Sequence, residues 1–350
     1  MKKHNFGAGP GILPQEVIEE SAKAILNFNN TGLSILEISH RSKEFESVME
    51  EARSLVRELL NVPNTHEVLF LHGGASSQFA MVPINLLKKK AGYVETGVWA
   101  QKAIYEARLL GDVEIIASSA DKNFSYIPKN YSIPTDIDYL HITSNNTIYG
   151  TQMKSFPKTE MPLVCDMSSD IFSRPIDVSQ FGLIYAGAQK NMGPAGATLV
   201  IVQKDLLGKT GRKINSMLDY NVHIKADSMY NTPPTFPVFV CMLTLRWLKK
   251  MGGVSMMEKK NIEKANLFYE ALDKNEHFVG NVVKEDRSLM NACFNLKDTT
   301  QEDRFLNDCK ENGIVGIKGH RLSGGFRASL YNALPIESIH KLIEVMNNFQ

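Results

Sequence analysis

The chain of 350 residues is poor in cysteine. It has four, Cys165, Cys241, Cys293 and Cys309, far apart, with no CxxC and no histidine at ligand spacing. That excludes a disulfide scaffold, points to a reducing compartment and leaves no zinc or other metal site to expect. An excess of one charge is also missing, with 39 Lys and Arg against 38 Asp and Glu. Field-driven attraction to nucleic acid or to a membrane surface is therefore not expected. No apolar run reaches the length of a membrane span, and residues 1–14 are rich in glycine and proline rather than basic and then apolar. A soluble, cytoplasmic globular protein is the expectation. Internal repeats and low-complexity tracts are absent as well.

What is present is alternation. Pro14 suits the first position of a helix. Phe45, Val48, Met49, Ala52, Leu55, Val56 and Leu59 recur at helical spacing and predict a helix over about 42–60, stopped by Val62-Pro63. Short apolar runs then predict strands at 68–71, 93–94, 113–117, 139–142 and 163–165, with helices at 78–90 and 100–110 among them. Two more strands, 181–186 and 197–202, flank a glycine-rich turn. This order implies an α/β fold with a mostly parallel sheet, whose ligands sit at the carboxyl ends of its strands. From about residue 236 long helical patterns take over. A large unit over 15–250 is expected, followed by a smaller α+β unit over 251–350 that takes the N-terminal segment 1–14 with it.

The turn between the last two strands reads Tyr185-Ala-Gly-Ala-Gln-Lys-Asn-Met-Gly-Pro-Ala-Gly196. It delivers Lys190 out of a dry part of the protein. Desolvation lowers an amine's pKa, which suits a Schiff-base nucleophile; a plain hairpin lysine is the alternative. Asp166 closes the 163–165 strand, either as a turn cap or facing a protonated ring nitrogen. The glycine-rich turn His72-Gly-Gly-Ala-Ser-Ser-Gln78 opens a helix and exposes N–H groups that suit a phosphate. It carries neither a Walker loop nor GxGxxG. Trp99 follows a strand end, where it either belongs to the core or stacks on a flat cationic ring. An amine, an acid, phosphate donors and an aromatic plate together suggest pyridoxal phosphate. His40-Arg41, His320-Arg321 and Arg327 are solvated charge or grips for a small substrate with more than one anionic group.

At this point the chain resembles a known family from end to end. The stretches Asn5-Phe-Gly-Ala-Gly-Pro-Gly11, Ile38-Ser-His-Arg-Ser42, Phe70-Leu-His-Gly-Gly-Ala-Ser-Ser-Gln-Phe79, Asp166-Met-Ser-Ser169, the Lys190 turn, Asn231-Thr-Pro-Pro-Thr-Phe236 and Gly319-His-Arg through Asn332 are similar to those of the phosphoserine aminotransferases. These are class V, fold type I pyridoxal-phosphate enzymes. The resemblance implies that Lys190 is the Schiff-base lysine and general base, that Asp166 pairs with the pyridine nitrogen and that Trp99 stacks on the ring. It implies phosphate donors at Ala75 and Ser76, cofactor hydrogen bonds from Thr147 and Gln189, and phosphate contacts from Asn231 and Thr232 across a homodimer. Arg327 would hold the α-carboxylate, and Arg41, His40, His320 and Arg321 the distal phosphate or carboxylate.

The implied reaction carries an amino group from glutamate to 3-phosphohydroxypyruvate, giving phosphoserine and 2-oxoglutarate in serine biosynthesis. Related enzymes also aminate a phosphorylated keto acid of vitamin B6 (pyridoxine) synthesis, and the residues leave that acceptor open. Some members carry an arginine where Ser76 stands, so distal-group binding rests here on Arg41, His320 and Arg321. A cysteine desulfurase on the same fold would want a cysteine on a mobile loop and a histidine over the ring. A phosphate-binding module would make Lys190 structural.

Overall fold

The computed structural model describes residues 3–349; Met1, Lys2 and Gln350, at the ends of the expected smaller unit, lie outside the described residues. Seven strands form the central sheet in the spatial order His66–Leu71, Thr198–Gln203, Leu183–Gly187, Leu163–Asp166, Leu140–Thr143, Lys90–Glu95 and Asp112–Ser118. All neighbours run parallel except Thr198–Gln203, which is antiparallel to both of its own. Residues 188–197 alone join it to Leu183–Gly187, too short a stretch for a crossover helix, so the chain must turn straight back.

The central strands Leu140–Thr143, Leu163–Asp166 and Leu183–Gly187 are buried at every residue. That is why they read as continuous apolar runs rather than as alternations. One face packs on the helices Lys43–Leu60 and Thr235–Lys250, the other on Gly74–Leu86 and Val98–Arg108. In Lys43–Leu60 the seven apolar residues named above are all buried, and Ser42 caps the helix by accepting the Phe45 N–H at 3.4 Å.

Three local expectations shift. The helix expected over 78–90 spans Gly74–Leu86, because the Gly73-Gly74 turn starts it four residues sooner. It cannot continue to Lys90, because Asp138 Oδ2 gathers the N–H groups of Lys88, Lys89 and Lys90 at 2.7, 2.6 and 3.1 Å. Lys90 instead begins a full strand, Lys90–Glu95, where only 93–94 were expected. Pro14 is the cap residue before the helix Gln15–Leu26 rather than its first residue.

The smaller unit is built on the strand Asn291–Leu296, flanked antiparallel by Phe278–Gly280 and Phe326–Ser329. The helices Gly253–Lys274, Glu302–Glu311 and Ile336–Asn348 cover it. Phe268, Phe278, Phe294, Phe305, Phe326 and Phe349 fill its core, and Phe6 joins them from the N-terminus. His4–Asn5 pairs in parallel with Ile314–Val315 just before that phenylalanine. Among the described residues no helix is long and apolar enough to cross a membrane.

Candidate active site

The carboxyl ends of the parallel strands open on one edge of the sheet, and the chemistry-bearing residues gather there. Lys190 sits in the hairpin whose neck is tied by the Ala188 N–H donating to Ala197 O at 3.0 Å. Its Nζ donates to Thr147 Oγ1 at 2.8 Å and lies 5.7 Å from the centre of the Trp99 ring. Burial pushes its pKa down to about 8, against the opposing pull of the Asp166 charge, and Arg327 lowers it further. A substantial neutral fraction near neutral pH is what a nucleophilic or proton-transferring amine needs.

Asp166 ends the strand Leu163–Asp166, which pairs directly with the strand leading to Lys190, with Asp166 opposite Tyr185. It is 5 % exposed, and the Ser168 N–H donates to its Oδ1 at 2.9 Å. Burial raises its pKa, while the Lys190 charge and the bonds from Ser168 hold it down. A buried carboxylate with a single short backbone donor fits a cationic ring nitrogen as its remaining partner. Trp99 opens the helix Val98–Arg108, and its Nε1 is buried without a partner. Acid, amine and aromatic plate together match the requirements of a pyridinium cofactor.

The turn after His66–Leu71 forms the expected phosphate site. Gly73 adopts φ +88°, and a Cβ there would collide with Ser77 Oγ, so only glycine allows this entry to the helix. The first intrahelical bond runs from the Ser77 N–H to Gly73 O, which leaves the N–H groups of residues 74–76 at a positive helix end. Ala75 is partly buried there and Ser76 exposed. The cradle fits a phosphate.

Arg327 lies in the strand Phe326–Ser329, and its Nη1 donates to the Thr147 carbonyl at 3.3 Å while its Nε is buried and unpaired. Burial, then the charges of Arg327, Arg321 and Lys102, lower the His320 pKa, which marks these cations as neighbours. Gln189 is fixed beside Lys190 by the Gly11 N–H, which donates to its carbonyl at 2.7 Å. The remaining expected residues stand apart from Lys190. Arg41 is exposed, His40 is partly exposed with Nε2 buried and unpaired, and neither contacts the amine. Asn231 Nδ2 donates to the Thr232 carbonyl at 3.2 Å, and that carbonyl also meets His72 Nε2 at 2.9 Å, next to the Gly73-Gly74 turn.

Two site residues escape a reading of the sequence. Lys102 Nζ lies 4.7 Å from the centre of the Trp99 ring. Its spacing of three from Trp99 on one helix is the signal that could have found it. Asn191 binds Ile171 O through Nδ2 at 2.9 Å and receives the Asn332 N–H on Oδ1 at 2.9 Å. No spacing announces those long-range partners.

Known proteins carry the same framework. The model of the aminotransferase class-V family matches residues 4–342. A phosphoserine aminotransferase of Flavobacterium psychrophilum is 60% identical over 100% of this chain and 99% of its own length. The structure of phosphoserine aminotransferase from Bacillus circulans subsp. alkalophilus superposes with a TM-score of 0.96 at 45% identity, covering 99% of this chain and 98% of that one. A PLP-bound phosphoserine aminotransferase from Trichomonas vaginalis superposes at 0.94 with 36% identity, over 99% and 100% of the two chains.

Proposed function

The chain belongs to the class-V aminotransferase family and to the phosphoserine aminotransferases within it, a pyridoxal-phosphate-dependent transaminase of serine biosynthesis, and we propose that its substrates are glutamate and 3-phosphohydroxypyruvate. The products are 2-oxoglutarate and phosphoserine. The observation that carries this reading is the shared anchor of Lys190 and Arg327 on Thr147. It holds a proton-transferring amine and an α-carboxylate grip in fixed relation beside the buried Asp166.

Pyridoxal phosphate, when bound, supplies a ring that draws electrons from the substrate α-carbon. Asp166 would keep the proton on the ring nitrogen, which makes that withdrawal effective. Trp99 would stack on the ring, and Thr147 and Gln189 would hydrogen-bond the cofactor. The N–H groups of Ala75 and Ser76 would hold the phosphate, joined by the partner subunit's Asn231 and Thr232 in a homodimer. Lys190 Nζ takes the proton from the α-carbon of glutamate in the first half-reaction and returns one to the α-carbon of the keto acid in the second. Arg327 grips the α-carboxylate that both substrates share. Arg41, with His40, His320 and Arg321 across the dimer, takes the distal carboxylate of glutamate or the phosphate of the keto acid.

A coupled assay with glutamate as donor tests the substrate claim. Phosphohydroxypyruvate is compared with pyruvate, glyoxylate, oxaloacetate and the phosphorylated keto acid of vitamin B6 synthesis. The expected result is the highest kcat/KM with phosphohydroxypyruvate. Preference for an unphosphorylated acceptor would remove the substrate claim and leave the cofactor claim standing.

A further inference from the structure

The residue after Lys190 is tied to two distant parts of the chain. Asn191 is 7 % exposed and its amide bonds all point inward, a weak one from Nδ2 to Met290 Sδ at 3.7 Å among them. Nδ2 donates to Ile171 O in the turn that follows Asp166, and Oδ1 accepts the N–H of Asn332, five positions beyond Arg327. Asn332 is itself anchored on both side-chain atoms. Its Nδ2 donates to Phe172 O at 3.0 Å, and its Oδ1 accepts from Asn261 Nδ2 at 2.9 Å. Lys264, 3 % exposed, donates to the carbonyls of Leu330 and Tyr331 at 3.0 and 2.7 Å and fixes the same corner.

The other flank of Lys190 is held by the same corner through the N-terminal segment. The Gly11 N–H binds Gln189 O, and the Tyr331 hydroxyl donates to Ala8 O at 2.8 Å. Gly11 is wedged so closely that a Cβ would lie 2.6 Å from the Lys190 carbonyl oxygen and 2.9 Å from the Tyr331 ring. The segment after Arg327 thus grips the Lys190 turn from both sides.

We propose that Asn191 is a positioning residue for transamination: its amide, locked on Asn332 and Ile171, sets the spacing of the Arg327 carboxylate grip from Lys190 and Asp166. It touches neither substrate nor cofactor and acts through the residues it ties. The proposal rests on the transaminase reading above. Arg327 serves a group common to both substrates, so a loosened tie must weaken both equally. A 1 Å misplacement of a reacting group is costly even when its cause lies outside the chemistry.

The test uses the holoenzyme and its Asn191→Ala and Asn332→Ala variants. Measured are kcat, the KM of glutamate and of phosphohydroxypyruvate, cofactor affinity from absorbance, and the thermal midpoint. Expected for each variant is a rise of about tenfold in both KM values, with cofactor affinity within about twofold of the parent. A merely structural role would lower the thermal midpoint or the active fraction and leave both KM values in place, and that result overturns the proposal. Failure of both variants to fold counts against it as well, since these amides would then serve stability. A wild-type enzyme inactive with these substrates would remove the functional reading instead, before any variant is compared.

Discussion

Lys190 and Thr147 are joined by a 2.8 Å hydrogen bond from Nζ to Oγ1, and the carbonyl of the same threonine receives Arg327. Thr147 follows the buried residues Asn145 and Asn146: the Asn145 amide donates to Ser169 and Asn291 and accepts from Ser288, and the Asn146 amide donates to Thr151 and accepts from Thr96. Amine and guanidinium are therefore set by a rigid support rather than by each other. Like charges held this close disfavour protonation of the weaker base, which adds to burial in lowering the Lys190 pKa.

Replacing Lys190 removes the amine to which the proposed reaction gives the proton transfers. Lys190→Ala is expected to lower kcat by about a thousandfold or more, within the range for a lost general base. It should also end covalent retention of the cofactor after borohydride treatment, measured by absorbance after gel filtration. A near wild-type turnover would remove Lys190 from its role.

Capture of pyridoxal phosphate by the cofactor-free protein needs Lys190 neutral. Its pKa of about 8 makes the neutral form grow as pH rises, so capture should speed up about tenfold between pH 7 and 9 and then level off. A lysine at the ordinary 10.5 would give a rise that continues past pH 10. The Asp166 charge raises the Lys190 pKa, so Asp166→Asn should move the levelling point to lower pH. It should also cut kcat on the order of a hundredfold, the cost of one preorganised charge lost. Stopped-flow absorbance across pH checks both.

Arg327→Lys keeps a positive charge but loses the planar fork. The KM of glutamate and of phosphohydroxypyruvate should each rise about tenfold or more, because a lysine cannot make the paired bonds to a carboxylate. Initial-rate kinetics on both substrates provide the check, and a rise for one substrate alone would contradict a shared α-carboxylate grip.

The smaller unit depends on its aromatic core. Phe305 is fully buried, with ring centres of Phe278, Phe326 and Phe349 at 4.7, 4.8 and 5.5 Å. Phe305→Ala should cost about 3–5 kcal/mol of stability through lost burial and the cavity left behind. Denaturant unfolding followed by fluorescence measures it, and a loss below about 1 kcal/mol would contradict a core role for this ring.

Much of the fold was legible because its signals are local. The helix Lys43–Leu60 announces itself through a buried stripe and a serine cap, and the central strands through runs of apolar residues buried on both faces. The end of the helix Gly74–Leu86 falls four residues short of the expected Lys90 because it is decided by Asp138, far along the chain. Asp166 and Lys190 could be read as neighbours since one strand separates them and adjacent parallel strands end together.

By itself the sequence determined the layered α/β order, the turn that delivers Lys190, the acid that closes a strand at Asp166, the glycine turn into the helix Gly74–Leu86 and, through its motifs, the family. Each rests on residues close in the chain, where periodicity and turn chemistry act. Tertiary structure alone decided that Thr147 serves both Lys190 and Arg327, that Lys102 lies against Trp99, and that Asn191 reaches Asn332. Those contacts depend on how the sheet and the smaller unit pack together, and only the burial of both cores brings residues so distant in sequence within hydrogen-bonding reach.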